Sequence, residues 1–227
     1  MIKDFFSLLF PQLCLACEKE LFNNEQTICT LCQYYLPRTN FHLEKDNLVE
    51  KIFWGRAQVE SATSYYSFIK GGKVQHLIHE LKYKGQTEVA ITIGRSMGLE
   101  LNKCDSYNCV DVIIPVPLHK KKLRKRGYNQ SECFAKGISD KSKIPMDTIS
   151  FIRELETSTQ TKKGKEERWQ NVKDAFAIRS PEVFKNKHIL LVDDVITTGA
   201  TIEGAWQALK DIEGIQISVA SIAYADK

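Results

Sequence analysis

Residues 188–201 have the sequence HILLVDDVITTGAT, and this stretch decides the fold. The apolar run at 188–192 predicts a buried parallel strand, because such strands are covered on both faces and are almost continuously apolar. Two adjacent carboxylates, Asp193 and Asp194, come at its carboxyl end. A turn rich in hydroxyl groups then leads into a helix, which we expect at about 201–212. A strand, a polar loop and a helix in this order predict one unit of an α/β domain.

The turn after this strand suits a bound phosphate. Gly199 lets the backbone approach closely, and the amides of the turn, together with the first turn of the helix, can surround an anion without a charged side chain. The predicted phosphate-binding residues are Val195, Ile196, Thr197, Thr198, Gly199, Ala200 and Thr201. Asp193 and Asp194 would repel that phosphate, so we expect them to face sugar hydroxyls or a metal ion. A ribose beside its 5-phosphate fits this arrangement.

Two common nucleotide-binding motifs are absent from the sequence. It contains neither G-x-x-x-x-G-K-[ST] nor G-x-G-x-x-G, which argues against a P-loop nucleotide hydrolase and a Rossmann dehydrogenase. The alternative for residues 193–201 is a capped helix after a surface turn. An ordinary cap needs one polar residue, whereas this loop supplies two acids, three threonines and a glycine in order, and this favours the phosphate site.

The rest of the chain continues the alternation of strands and helices. Short apolar runs predict strands at 110–116 and 215–223, and residues 57–69 are compatible with strands or a hairpin. Helices are predicted, from apolar residues at helical spacing, at 74–81, 89–101 and 130–138. The alternation predicts an α/β fold with a mostly parallel sheet, helices on both of its faces, and sites at the carboxyl ends of its strands.

Four of the seven cysteines have the spacing of a zinc site. Cys14 and Cys17 form one C-x-x-C pair, Cys29 and Cys32 form a second, and the eleven residues between the pairs can loop back. Four thiolates fill every position of tetrahedral zinc, so the predicted metal is structural Zn²⁺ with no open position for a reacting water. The alternatives are a redox dithiol and chance spacing. The remaining three cysteines show no ligand spacing.

Composition and length predict an ordinary globular chain. Of 227 residues 43% are hydrophobic and 26% are charged, which excludes a disordered tail or a fibre. The opening MIKDFFSLLFPQL lacks the pattern of a secretory signal, and no apolar window is long enough for a membrane span. We therefore expect a soluble cytoplasmic protein with two parts: a zinc-binding knuckle and link at 1–45, and an α/β domain at 46–227.

The net charge of +4 hides a single strongly basic segment. Six of the seven residues of Lys120–Arg126 (KKKLRKR) are basic, and the remainder of the chain has 26 basic and 28 acidic residues. We interpret this segment as a loop that leaves the predicted strand at 110–116. Such a run is a solvated face or a nucleic-acid patch.

Residues 193–201 resemble the phosphoribosyl pyrophosphate (PRPP) signature of type I phosphoribosyltransferases, and nearly the whole chain resembles the competence protein ComF family within that fold. The resemblance is carried by CLAC (14–17), CTLC (29–32), LKYKG (81–85), IPVPLHKKKLRKRGYNQ (114–130), Arg153, Thr157, Gln160, Arg168, Asn171 and Ala175-Phe176. Two positions depart from it. Tyr128 stands where the family often has Phe, and Lys163 stands where an apolar residue is common.

The resemblance implies a role for each group of site residues. PRPP with Mg²⁺ would bind at residues 193–201, with Asp193 and Asp194 as the catalytic carboxylates. The strand exit at Pro117 and Leu118 is similar to the family's pyrophosphate loop, with Arg126 as the best-placed side chain. Residues 157–168 resemble a flexible lid, from which Lys162, Lys163 or Arg168 would reach the phosphates.

Two hypotheses for function follow. In the first, the protein is a Mg²⁺-dependent phosphoribosyltransferase that acts on PRPP, releases pyrophosphate and uses an acceptor that the sequence does not reveal. In the second, it is a non-catalytic factor that binds single-stranded DNA through the basic segment, with PRPP as a regulatory or vestigial ligand. The resemblance implies a part in DNA uptake during natural transformation, with single-stranded DNA or competence helicase-type proteins as partners.

Overall fold

In the part of the chain that the structure describes, four parallel strands form the main sheet. The computed structural model describes residues 11–22, 24–153 and 176–225. The sheet has the order β1-β6-β5-β2, formed by β1 (Ala62–Phe68), β2 (Val112–Pro115), β5 (His188–Ile196) and β6 (Gln216–Ala225). A separate antiparallel pair joins β3 (Phe151–Arg153) to β4 (Phe176–Ile178).

Helices connect these strands on both sides of the sheet. Those described are α1 (Thr30–Tyr35), α2 (Leu48–Phe53), α3 (Lys73–Tyr83), α4 (Thr87–Leu101), α5 (Lys120–Arg126), α6 (Gln130–Ser142) and α7 (Ala200–Leu209). Short 3-10 turns lie at Phe41–Leu43, Asp105–Tyr107 and Pro181–Phe184. No helix among the described residues is both long and apolar enough to cross a bilayer.

Strand β5 is buried on both faces, and its alternate side chains enter two apolar cores. Leu190 and Val192 pack with α3, α4 and α6 on one face of the sheet. Ile189 and Leu191 pack with α2 and α7 on the other face. A strand covered in this way needs a continuous apolar run, which is the pattern of residues 188–192. The predicted parallel sheet with helices on both faces is confirmed.

Three elements differ from their sequence predictions. Residues 57–69 contribute the single strand β1 rather than a hairpin. Strand β5 continues past Val192 to Ile196, because its last residues pair with β6. The basic segment Lys120–Arg126 was predicted as a loop, and this prediction is wrong, because the segment is helix α5.

Helices α4 and α6 cross in direct backbone contact. A Cβ added to Gly94 would collide with the carbonyl oxygen of Phe134, and one added to Gly137 would collide with that of Ile91. At Gly98 the added Cβ would lie 2.6 Å from the carbonyl oxygen of Ile138. Glycine at these positions is therefore required by close approach.

The cysteine-rich segment packs against the same core as the sheet. Ile28, Cys32 and Leu36 are buried in the apolar core that also holds Tyr65 and Tyr66 of β1. A bridge between Arg38 and Tyr66 and a hydrogen bond from the Thr39 amide to the Tyr65 carbonyl oxygen (3.1 Å) extend this contact. The division of the chain at residue 45 stays a prediction.

Candidate functional site

The two acidic residues of β5 lie at the carboxyl edge of the sheet, where sequence analysis expected them. Ser131 Oγ, in the first turn of α6, donates to Asp193 Oδ1 over 3.0 Å, and the Asp194 amide donates to the same oxygen over 2.8 Å. Burial and the neighbouring Asp194 raise the pKa of Asp193 to about 6, although both hydrogen bonds and Lys82 act in the opposite direction. At neutral pH Asp193 is mostly ionised, and its partly buried charge costs stability.

Asp194 is held by a lysine from another element. Lys82 Nζ, near the end of α3, lies 3.0 Å from Asp194 Oδ2, and both side chains are largely buried. The positive charge of Lys82 partly offsets the repulsion between the two adjacent carboxylates. The ion pair also joins the LKYKG segment to the acidic pair. Both acids are thus fixed in place by contacts within the protein.

The turn after β5 approaches helix α2 closely. Gly199 has a φ of 74° in the left-handed region, and a Cβ added there would lie 2.6 Å from Ile52 Cγ2 and 2.9 Å from Phe53 Cε1. Both the backbone conformation and the lack of space require glycine. The amino terminus of α7 begins directly after it. The Ala200 amide donates to Thr198 Oγ1 over 3.5 Å, and the next two amides have no partner within the helix and face the same turn.

An arginine fixes the other side of this turn. Arg56 Nη1 donates to the Thr198 carbonyl oxygen over 2.7 Å, and its Nη2 pairs with Glu203 Oε2 in α7. Glu203 is buried, so the ion pair locks the first turn of α7 to the residues after α2. The turn is therefore held in place before any ligand binds.

The predicted phosphate-binding residues fall into two groups. Val195 and Ile196 still belong to β5 and pair with Ala223 and Tyr224 of β6. The turn and the start of α7 supply Thr197, Thr198, Gly199, Ala200 and Thr201. Among these, Thr197 and Thr198 are exposed, so their hydroxyls are open to a ligand.

The exit of β2 lies beside the acidic pair. Pro115 of β2 is in register with Val192 of β5, and the Val116 amide donates to the Val192 carbonyl oxygen over 2.8 Å, so the chain that continues into Pro117 and Leu118 leaves the sheet one residue before Asp193 in register. The Asn129 side chain fixes the returning chain, because its Nδ2 donates to the Val116 carbonyl oxygen over 3.0 Å. The strand exit and the acidic pair therefore share one edge of the sheet.

Helix formation in the basic segment has a local cause. His119 Nδ1 accepts the Lys121 amide at 3.3 Å as an amino-terminal cap, and Gly127, with a φ of 84°, ends the helix. Arg126, in the last turn, donates from Nη1 to Gln130 Oε1. Arg126 is the last residue of α5, and its guanidinium contacts Gln130, the first residue of α6.

The predicted lid at 157–168 and two further residues of the family resemblance lie outside the described residues. This applies to Arg168, Thr157, Gln160, Lys162, Lys163, Asn171 and Ala175. Arg153, at the end of β3, is described: its guanidinium carbon lies 5.0 Å from the centre of the Phe176 ring. Burial lowers the pKa of Arg153, and the charge of Asp193 opposes this shift. Arg153 therefore lies within the electrostatic reach of Asp193.

The four knuckle cysteines converge on one point. The Sγ atoms of Cys14, Cys17, Cys29 and Cys32 all lie within 4.8 Å of one another. Backbone amides of Cys29 and Ala16 donate to Cys14 Sγ over 3.2 and 3.4 Å. Burial alone would raise the pKa of Cys14, but these donors outweigh it and bring the pKa to about 7. Four converging thiols with amide donors fit tetrahedral Zn²⁺.

A lysine contributes charge to this cluster. Lys73 Nζ, at the start of α3, lies 3.6 Å from Cys32 Sγ. Four thiolates with one Zn²⁺ would carry a net charge of about −2, and a nearby ammonium stabilises such a charge.

Sequence comparison places the fold in a known class. The profile of the Phosphoribosyl transferase domain matches residues 129–227, which hold α6, the acidic pair and the turn after β5. A solved structure of adenine phosphoribosyltransferase from Leishmania tarentolae aligns with a TM-score of 0.41 and 11% identity, over 83% of this chain and 94% of that chain. The chain has a type I phosphoribosyltransferase-like fold with an amino-terminal cluster of four cysteines.

Curated relatives then identify the family. Competence protein F of Haemophilus influenzae is 31% identical over 66% of this chain and 67% of its own length. DNA utilization protein YhgH of Shigella flexneri is 29% identical over 89% of this chain and 92% of its own. The chain belongs to the competence protein ComF family.

Sequence reasoning missed four residues that position the site. They are Lys82, Ser131, Arg56 and Glu203. Lys82 lies within LKYKG, which the resemblance had singled out without assigning a role to any side chain. The pairing of Arg56 with Glu203 has no sequence signal, because the two residues come together only when α2 packs against α7.

Proposed function

We propose that this protein binds PRPP with Mg²⁺ and transfers its phosphoribosyl group to an acceptor, releasing pyrophosphate. The observation that carries the proposal is the acidic pair of β5, held by Ser131 and Lys82 directly before a turn that is itself held by Arg56. A fixed carboxylate pair beside open backbone amides matches a ribose next to its 5-phosphate. The relatives' names, which refer to competence and DNA utilization, support a role linked to DNA uptake.

The chain's own residues suit a dissociative transfer. The turn and the first amides of α7 bind the 5-phosphate, and the carboxylates of Asp193 and Asp194 accept hydrogen bonds from the ribose hydroxyls. As pyrophosphate leaves, the sugar ring becomes cationic, and the two carboxylates stabilise that charge. Because Ser131 and Lys82 fix both acids in advance, little reorganisation is needed during the reaction.

The leaving pyrophosphate is assigned to the exit of β2. Pro117 and Leu118 lie beside the acidic pair, and Arg126 supplies positive charge from the end of α5. Carboxylate oxygens are the ligands that Mg²⁺ prefers, so Asp193 and Asp194 fit this ion. Bound Mg²⁺ would offset negative charge on the diphosphate. From the predicted lid, Arg168 is proposed to reach the phosphates.

We assign the knuckle a structural role. Cys14, Cys17, Cys29 and Cys32 supply every ligand of a tetrahedral Zn²⁺, which leaves no position for a reacting water. The packing of the knuckle against β1 supports a contribution to folding. Cytoplasmic localisation, where thiols stay reduced, is consistent with these free cysteines.

A second candidate function rests on the exposure of α5. Lys122, Arg124 and Lys125 are exposed on a helix that starts just after the proposed pyrophosphate loop. Such a surface favours contact with phosphates of single-stranded DNA, and competence helicase-type proteins are proposed partners in the same process. PRPP would then be a regulatory or vestigial ligand.

Calorimetry with PRPP and Mg²⁺ tests the binding part of the first proposal. The double variant Asp193→Asn with Asp194→Asn is expected to lose measurable binding, because both ribose acceptors lose their charge. Asp105→Asn, in an exposed 3-10 turn, is the matched control and should bind like the unaltered protein. Unaltered affinity in the double variant would exclude this site.

A pyrophosphate-release assay tests turnover. PRPP and Mg²⁺ are supplied with a panel of free bases and nucleic acids, and release with one acceptor, lost in the double variant, supports the enzyme. Binding without release for the whole panel favours the second candidate.

A salt titration of single-stranded DNA binding tests that candidate directly. Replacing Lys122, Arg124 and Lys125 by Gln should weaken binding. The slope of log affinity against log salt concentration should fall by the amount that corresponds to about three phosphate contacts. The control replaces exposed lysines of other segments, Lys70, Lys141 and Lys210, by Gln. Affinity that is weak and hardly changes with salt would exclude a DNA groove on α5.

A further inference from the structure

A cavity of about 460 Å³ lies at the edge of the sheet opposite the acidic pair. Its lining includes His188 and Gln216, the first residues of β5 and β6, and Ser61, which immediately precedes β1. Asp193 lies five residues further along β5, about 16 Å away at the rise of a parallel strand. The cavity is therefore separate from the proposed PRPP site.

Three reactive or polar side chains form a connected row at this cavity. Cys109 Sγ lies 3.0 Å from His188 Nδ1, and His188 Nε2 lies 2.9 Å from Ser218 Oγ on β6. Cys109 is exposed, whereas His188 is only 4% exposed. A nucleophile within hydrogen-bond reach of a base, which is itself oriented by a third group, is the arrangement of an activated nucleophile.

The surroundings of His188 favour its neutral form. Burial lowers the pKa of His188, and the facing carboxylates of Glu60 and Asp111 oppose this shift. Asp111 accepts the His188 amide over 2.8 Å and pairs with Lys187, which reduces its effect on the ring. In the tautomer that carries its proton on Nε2 and donates it to Ser218 Oγ, Nδ1 presents a lone pair to the thiol.

The other described cysteines lack this environment. Cys104 is buried and Cys133 is partly buried, and burial raises the pKa of both thiols. The remaining four converge in the knuckle. Cys109 differs because it lines an open cavity and also contacts a base, His188.

The charge of the cavity limits what can enter. Its described lining contains four carboxylates, those of Glu44, Asp46, Glu50 and Glu60. They face one ammonium, that of Lys45, and burial lowers the pKa of the second lining histidine, His42. The net charge is therefore negative, which attracts cations and repels anions.

We propose that Cys109 is a thiol-modification site that takes small neutral or cationic disulfides, with His188 as its base. The Cys109 thiol gives its proton to His188 Nδ1, and the sulfur attacks one sulfur of the disulfide R–S–S–R. The R–S–S–R bond breaks, a mixed disulfide forms on Cys109, and the leaving thiolate takes the proton from His188 as R–SH. The step exchanges one disulfide for another and needs no further oxidant.

The pH dependence of the reaction tests the role of His188. The zinc-loaded protein is treated with bis(2-hydroxyethyl) disulfide, and modification of Cys109 is followed by peptide mass spectrometry. Between pH 7 and 8 the rate should change by less than about twofold, because the internal base removes the proton, whereas a free thiol reacts about tenfold faster per pH unit below its pKa. A tenfold rise in the unaltered protein would overturn the proposal.

Two histidine variants provide the matched comparison. His188→Gln should slow Cys109 at pH 7 by about tenfold or more and restore the dependence of a free thiol. His79→Gln, at an exposed histidine of α3 that does not line the cavity, should leave the rate unchanged. Equal slowing by the two variants would contradict a base role for His188. If His188→Gln does not fold, the profile of the unaltered protein still decides.

A second comparison tests the charge preference. Cystamine, bis(2-hydroxyethyl) disulfide and glutathione disulfide carry positive, zero and negative net charge. Each rate at Cys109 is divided by the rate of the same disulfide with 2-mercaptoethanol. The corrected rates should fall in that order, and added salt should reduce the spread. A faster reaction with glutathione disulfide, or no order at all, would show that the acidic cavity does not select the disulfide.

Discussion

Lys82 Nζ lies 3.0 Å from Asp194 Oδ2, and this ion pair connects the end of α3 to the carboxyl end of β5. The two residues are far apart in the sequence, and neither side chain is more than a quarter exposed. Because Asp194 is adjacent to Asp193, the charge of Lys82 acts on both acids, and it opposes the rise in the pKa of Asp193 that burial causes. Lys82 is thus a positioning residue for the proposed ribose site.

Replacing Lys82 by Met should weaken PRPP binding. Without the ammonium, the acidic pair is less well held and repels the polyanionic ligand more strongly. We expect a loss of about tenfold in affinity, equivalent to about 1.4 kcal/mol, measured by calorimetry. Lys84→Met is the control, because Lys84 is exposed and pairs with Glu80 instead. Equal losses in the two variants would argue against a specific role for Lys82.

Replacing Asp193 by Asn should stabilise the ligand-free protein. The folded state raises the pKa of Asp193 to about 6, above the usual 3.8, so ionising this carboxyl costs stability as pH rises from about 4 to above 6. Asn cannot ionise, and its oxygen can still accept from Ser131 and the Asp194 amide. At pH 7.5 we expect about 1 to 3 kcal/mol of added stability in urea unfolding.

The sign of this effect is checked by repeating the unfolding at low pH. Near pH 4 Asp193 is protonated, so the variant and the unaltered protein should approach equal stability. A stability difference that is constant across this range would contradict a buried charge at Asp193.

Replacing Gly199 by Ala should destabilise the protein by about 2 to 4 kcal/mol, since the added Cβ meets Ile52 and Phe53 and the positive φ adds about 1 kcal/mol. Gly85→Ala is a matched control. Gly85 has the same φ of 74°, and no atom among the described residues lies within 4 Å of its added Cβ. We expect only about 1 kcal/mol there. Equal losses in urea unfolding would show that contact with α2 does not matter.

Replacing Lys73 by Met should speed the loss of zinc from the knuckle. The Lys73 ammonium lies 3.6 Å from Cys32 Sγ and offsets the negative charge of a zinc tetrathiolate. Release to a chromophoric chelator should become about tenfold faster, at the lower end of the range for residues that support metal ligands, because Lys73 is exposed to water. Lys70→Met, an exposed lysine three residues away, should release zinc at the unaltered rate. Equal rates in all three proteins would show that Lys73 does not stabilise the zinc site.

The predictable parts of the fold are those with a local cause. The continuous apolar run at 188–192 predicted the core of β5, and helical spacing predicted most of α3 and α4. The extension of β5 to Ile196 was not predictable, because it depends on pairing with β6. The helix at Lys120–Arg126 was missed although its signals were local, with His119 before it and Gly127 after it. Six positive charges in seven residues are typical of a solvated loop, and this pattern masked the signal of the two caps.

The site shows the same division. Asp193, Asp194 and Gly199 follow from the order of residues around one strand end. Lys82 depends on where α3 ends relative to β5, and that relation is set by tertiary packing. The Cys109–His188 contact had no sequence signal, because the loop before β2 meets the start of β5 only in the folded sheet.

The glycine contact between α4 and α6 links core packing to the chemistry at the sheet edge. Gly137 lies six residues after Ser131 on the same helix, about 9 Å along its axis. A single methyl group at Gly137 would push α6 away from α4 and carry Ser131 with it. The length of the Ser131–Asp193 hydrogen bond therefore depends on the backbone contact between α4 and α6. A substitution at Gly137, which touches no reacting group, would therefore disturb the geometry of the acidic pair.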